Sequence, residues 1–155
     1  MTTYCNGLLL CSPGYLISKL QRTLNKAIRF IFNIKREEHI TPYLFKLHIL
    51  PLSYRIKFKM SLIAYKMSRN IAPAYLNEKV TMFKPTTRIP LRPGHSRDNL
   101  MFECSVEKRK NPTVITRMIL EWNDLPVKLR SNDNLLMFKK ELKTHYFKLA
   151  FSQYC

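Results

Sequence analysis

The stretch from Ser12 to Ile34 reads SPGYLISKLQRTLNKAIRFIFNI. On a helical wheel of about 100° per residue, Ile17, Leu20, Leu24, Ala27, Ile28 and Ile31 fall in one arc, and Lys19, Arg22, Lys26 and Arg29 lie nearly opposite. Ser12-Pro13 is a helix start, an N-cap residue followed by proline at the first helical position. The segment is therefore a helix with one apolar face and one wholly basic face. The same logic runs outward along the chain. Thr41-Pro42 opens a short helix through Leu44, Leu47 and His48, ended by Leu50-Pro51. A third helix, about Ser53 to Asn70, puts Leu52, Ile56, Met60, Ile63 and Met67 on one stripe and Arg55, Lys59, Lys66 and Arg69 on another. A short fourth begins at Pro73 with Tyr75 and Leu76.

From Phe83 to Pro112 no helical period survives, and Pro85, Pro90, Pro93, Gly94 and Pro112 punctuate a loop with room for short strands near Thr87 to Leu91 and Leu100 to Val106. Helical signals return from Thr113 to about Leu125 and from Asn134 to about Phe151. In the last helix Leu135, Phe138, Leu142, His145, Phe147 and Leu149 make the apolar side, and Lys139, Lys140, Lys143 and Lys148 the rest. The expected fold is all-α, about six helices around an irregular middle.

A chain of 155 residues is one ordinary domain. With 46% apolar and 12% aromatic residues and only three glycines, it has the material for a packed core. Its charge is lopsided: 27 Lys and Arg against 10 Asp and Glu give +17. Neither the first 36 residues nor the stretch from His39 to Asn77 holds a carboxylate. Such a surface attracts polyanions. It argues against metal-dependent phosphoryl transfer, which needs clustered carboxylates. The adjacent pair Glu37-Glu38 points in two directions on a helix and reads as an exposed turn. Glu121 and Asp124, spaced i to i+3, have no third carboxylate close in sequence. Cys5, Cys11, Cys104 and Cys155 are scattered and read as reduced thiols of an intracellular protein, nuclear or cytoplasmic. The four histidines lack ligand spacing, so no zinc site is expected. No apolar run reaches the ~20 residues of a membrane span. Trp122, late in its helix, reads as core, with Asn123 or Asp124 ending the helix, Leu125 packing and Pro126 preventing continuation.

In Leu20 to Leu76 four elements follow in order: the basic helix LQRTLNKAIRFIF, the step LHILPL at His48 to Leu52, the helix RIKFKMSLIAYK at Arg55 to Lys66, and IAPAYL at Ile71 to Leu76. Farther on come EWNDLPVKLRS at Glu121 to Ser131 and FKKELKTHYF at Phe138 to Phe147. In this order they resemble the region that follows the polymerase domain in non-LTR (LINE-type) retrotransposon reverse transcriptases. The resemblance covers most of Tyr15 to Phe151. It implies a helical post-polymerase domain at 15–151, with 1–14 a short leader left from the preceding domain and 152–155 a tail. In that family the polymerase chemistry sits upstream, in a palm whose metal-binding box carries Asp-Asp. This sequence has no Asp-Asp, so the resemblance implies a detached, non-catalytic portion with no catalytic residues, metal or cofactor of its own, and a reverse transcriptase palm encoded upstream as a partner.

It further implies a thumb-like region tracking the backbone of RNA or DNA without sequence preference, work that needs Lys and Arg on rigid elements. The residues this singles out are Lys19, Arg22, Lys26, Arg29, Arg55, Lys59, Lys66 and Arg69, with the loop arginines Arg88, Arg92 and Arg97 as second candidates. Tyr15, Phe30 and Tyr65 are open to two readings, base stacking or core. Two rival readings stand beside it: a basic amphipathic module meeting an acidic protein or anionic membrane, and a truncated element copy without function.

Overall fold

A computed structural model of the chain describes residues 9–84, 100–104 and 112–153. Among the described residues there are seven helices: α1 Gly14–Phe32, α2 Thr41–Lys46, α3 Leu52–Ser68, α4 Ala74–Asn77, α5 Val114–Asn123, α6 Val127–Arg130 and α7 Leu135–Ala150. The protein is all-α. The helix not anticipated is the one-turn α6, too short to show a period and launched by Pro126, whose φ of −55° suits a helix start. The start of α1 shifts as well: Pro13 occupies the N-cap position and Gly14 is the first helical residue, one step later than the Ser12 cap expected.

Helix ends are built with little glycine. Asn33, His48 and Asn70 take positive φ of 49°, 52° and 55°. Each is followed by an isoleucine whose N–H donates to the carbonyl five residues back: Ile34 to Arg29 (3.0 Å), Ile49 to Leu44 (3.0 Å) and Ile71 to Lys66 (2.8 Å). This is the left-handed closure that satisfies terminal carbonyls, carried by residues that tolerate that backbone region. At the other kind of end, Thr113 caps α5 by accepting from Thr116 N at 3.2 Å, and Asn134 caps α7 by accepting from Leu136 N at 2.8 Å and Met137 N at 3.3 Å.

The core is organised around α3, which packs against both α5 and α7. Ile56, Met60, Ala64 and Tyr65 of α3 meet Met118, Ile119 and Trp122 of α5 and Phe138, Leu142 and Tyr146 of α7. Tyr65, left open between core and base stacking by the sequence, is fully buried and stacked on Phe138 at 4.3 Å between ring centroids. The buried side of α7 is Phe138, Leu142 and Tyr146, whereas Leu149, assigned to it from sequence, is 51% exposed. A second, smaller cluster joins Ile28 of α1, Ile34, Leu44 of α2 and Phe151. Leu9 and Leu10, within the segment read as a leader, pack on the main core, and Arg117 donates to the Leu10 carbonyl at 3.1 Å.

In the irregular middle, Met82 pairs antiparallel with Phe102, through Phe83 N to Met101 O and Glu103 N to Thr81 O, both 2.8 Å. Of the two expected strands, Thr87 to Leu91 lies outside the described residues. The described part of Leu100 to Val106 contributes this single bridge. Trp122 and Asn123 hold it in place. The Trp122 indole donates to the Leu100 carbonyl at 2.7 Å, and the Asn123 side chain accepts from Phe102 N (3.0 Å) while donating to Phe102 O (2.9 Å). The expected helix stop holds: α5 ends at Asn123, Asp124 is its C-cap, and Leu125 is buried.

Candidate nucleic-acid interface

Helix α3 is covered by packing over most of its circumference. Arg55, Lys59 and Lys66 fall within about 40° of one another around the helix. Lys66 is exposed, and Arg55 and Lys59 are half-buried with their stems along the helix. The Arg55 guanidinium donates to the Leu50 carbonyl at 3.4 Å, which sets its direction at the start of α3. On α1, Lys19, Arg22 and Lys26 are all exposed. Neither helix contains a carboxylate. Lys57 pairs with Glu121 and Arg69 with Asp133, each at 2.8 Å. The two helices are tied where the Gln21 side chain accepts from Leu52 N at 2.7 Å.

Two arginines expected on the same stripes have other employment. Arg69 donates to the carbonyls of Arg130 and Asn132, both at 3.2 Å, pairs with Asp133, and lies 5.7 Å above the Tyr65 ring. It fastens the end of α3 to the turn between α6 and α7. Arg29 donates to the carbonyls of Lys35 and Glu38, closing the turn after α1. Both guanidiniums are thus oriented by protein carbonyls, a constraint invisible in a wheel projection because their partners lie in the turns. Arg88, Arg92 and Arg97 lie outside the described residues. Of the aromatics, Tyr15 and Phe30 are exposed, at 71% and 89%.

The apolar side of α1 is only partly covered. Ile28 is buried, and Ile17 and Leu24 pack on the two core clusters, but Leu20 is half-exposed and Ile31 is 70% exposed. An oily strip therefore remains on the side of the helix opposite its basic arc.

The carboxylates behave as ordinary structural groups. Glu121 is paired with Lys57, and Asp124 is an exposed C-cap. Glu38 accepts from the Tyr43 hydroxyl at 2.9 Å, and that bond with the adjoining negative charge raises the Tyr43 pKa. Among the described residues no three His, Cys, Asp or Glu side chains gather as a metal site would require, and no helix is long and apolar enough to cross a membrane. Cys11 and Cys104 form no disulfide.

Fold and surface together define a small all-α protein with a carboxylate-free basic face on two of its helices. No protein-family model, curated protein or solved structure matches the chain.

Proposed function

We propose that this chain is a non-catalytic, post-polymerase portion of a retrotransposon-type reverse transcriptase, and that it binds the phosphate backbone of RNA or single-stranded DNA with little sequence preference. The sequence resemblance supplies the origin. The observation that carries the binding is that Arg55, Lys59 and Lys66 share one stripe of α3, while Lys19, Arg22 and Lys26 stand exposed on α1, with no carboxylate on either helix. Cations on rigid helices contact phosphates without reading bases. Arg29 and Arg69 contribute field more than contact, since their guanidiniums are held by turn carbonyls.

If about five phosphates are engaged, log affinity for a single strand falls against log salt with a slope of roughly −3.5, from ~0.7 counterions released per contact. Changing Arg22, Lys26, Arg55 and Lys59 to glutamate leaves the circular dichroism spectrum helical and lowers affinity for every RNA tested. A quadruple variant that folds and binds as tightly as the parent overturns the assignment. The reading gives the chain no chemistry of its own, so template-dependent nucleotide incorporation by the pure protein contradicts it.

The strip on α1 favours a second reading, a basic amphipathic helix that meets an acidic protein or an anionic membrane. Binding to anionic vesicles at physiological salt, undiminished by competing RNA, selects it.

A further inference from the structure

Away from α1 and the basic stripe of α3, a trough of about 460 Å3 lies between α6 and α7. Its volume is within the ~300–1,000 Å3 of small-ligand pockets. Pro126, Leu129 and Met137 give it an apolar lining, and Lys128, Lys140 and Lys148 line it with cations. Leu129 is buried beneath it, while Met137 is 48% exposed and offers a flexible, polarisable thioether. Lys140 and Lys148 are eight residues apart on one helix, a rise of about 12 Å, so positive charge is spread along the trough instead of gathered at a point. The one carboxylate in the lining, Glu141, is engaged at 3.4 Å by the Asn132 amide, and the three lysines form no ion pair among the described residues. His145 adds a ring whose pKa burial holds below its ordinary value.

A row of cations beside an apolar floor is complementary to a chain of phosphates carrying unpaired bases. A duplex backbone has no use for the floor, and a purely apolar ligand has none for the lysines. We propose that the trough is a second contact for a single-stranded nucleic acid, with phosphates against Lys128, Lys140 and Lys148 and a base laid on Met137. This rests on the nucleic-acid reading above and extends it to a face that reading does not use.

The test compares two double variants on the same helix with the same change in charge. Lys140→Glu with Lys148→Glu removes trough cations; Lys139→Glu with Lys143→Glu changes exposed lysines that do not line it. Binding of labelled oligothymidylate is measured by anisotropy across a salt series, after circular dichroism confirms helix content. The trough pair is expected to lower affinity roughly tenfold and to flatten the log–log salt slope by about 1.4, two contacts at ~0.7 each, whereas the control pair stays within about threefold of the parent. Equal losses in the two pairs overturn the trough, because a long-range field would then account for both. A parent that fails to bind oligothymidylate overturns the nucleic-acid reading itself. A parent that binds, with loss only in the α1 and α3 variant, overturns the trough alone. Ultraviolet cross-linking of the unaltered protein needs no variant to fold: adducts on peptides spanning 126–148 support the proposal, and adducts confined to 15–69 refute it. Thymidine monophosphate is expected to compete only weakly. Saturation by the mononucleotide as tight as by the strand would mark a nucleotide pocket and overturn the strand assignment.

Discussion

Trp122 is the side chain on which most of the fold converges, and replacing it gives the sharpest test of the packing argument. It is fully buried, with Phe138, Phe102 and Tyr65 ring centroids at 5.9, 6.0 and 6.4 Å. Trp122→Ala removes that ring from the centre of three elements, which costs about 3–5 kcal/mol for transfer and cavity together. It also strips the Leu100 carbonyl of its 2.7 Å donor, and an orphaned acceptor adds about 1–3 kcal/mol where water cannot replace the bond. Domains of this kind have about 5–15 kcal/mol in all, so the alanine variant sits near or past the edge of folding. Trp122→Phe separates the contributions. It keeps most of the apolar contact and loses the N–H, so the expected loss is about 1–3 kcal/mol. Urea denaturation followed by circular dichroism reads both variants, and the parent's single tryptophan should emit as a ring shielded from water. An alanine variant within about 1 kcal/mol of the parent, or an emission maximum typical of exposed indole, refutes the packing described here.

Tyr146, Arg69 and Lys66 give three further tests. The Tyr146 hydroxyl, bonded to Ser61 at 2.9 Å, has its pKa raised by burial from 10.0 to about 12. The raised folded-state value means ionisation occurs first in the unfolded chain, so this contribution is intact below pH 10 and is lost as pH climbs from 10 to 12. The loss amounts to about 3 kcal/mol, and Tyr146→Phe should flatten that part of the stability profile. Arg69→Ala should cost about 1–3 kcal/mol through its carbonyl bonds, because an ion pair with the exposed Asp133 adds little. Lys66→Ala should change stability by less than about 0.5 kcal/mol yet weaken RNA binding more than Arg69→Ala. The reverse ranking in binding would return Arg69 to the interface.

How far the sequence reaches depends on the range of the interactions involved. The long helices were legible because amphipathic periodicity is written within each segment, and Trp122-Asn123-Asp124-Leu125-Pro126 carries its own stop. The closures at Asn33, His48 and Asn70 were harder, since a chain with three glycines turns left-handed at residues that carry no fixed signal for it. The repeated isoleucine after each is the cue that went unused. Choosing Tyr146 over Leu149 for the inner side of α7 required knowing that Ser61 stands opposite with a hydroxyl. Arg29 and Arg69 fit the basic periodicity well, and only the turn carbonyls they meet distinguish them from Arg22 or Lys66. The trough was beyond reach for the same reason: Lys128 belongs to one helix and Lys140 and Lys148 to another, and no spacing rule joins them.

The central position of α3 bears on how the chain is made. A ribosome delivers Leu52–Ser68 well before the helices that sheathe it, since α7 is finished only at Ala150. At ~5–20 residues per second the roughly 80 intervening residues take about 4–16 s. Over the first two thirds of that interval Ile56, Met60 and Tyr65 have neither α5 nor α7 to lie against, and until its end they still lack α7. The three closures that end in isoleucine require only residues nearby in sequence, so their partners are already made during the wait. Assembly then becomes a late docking step, set by the arrival of the final helix.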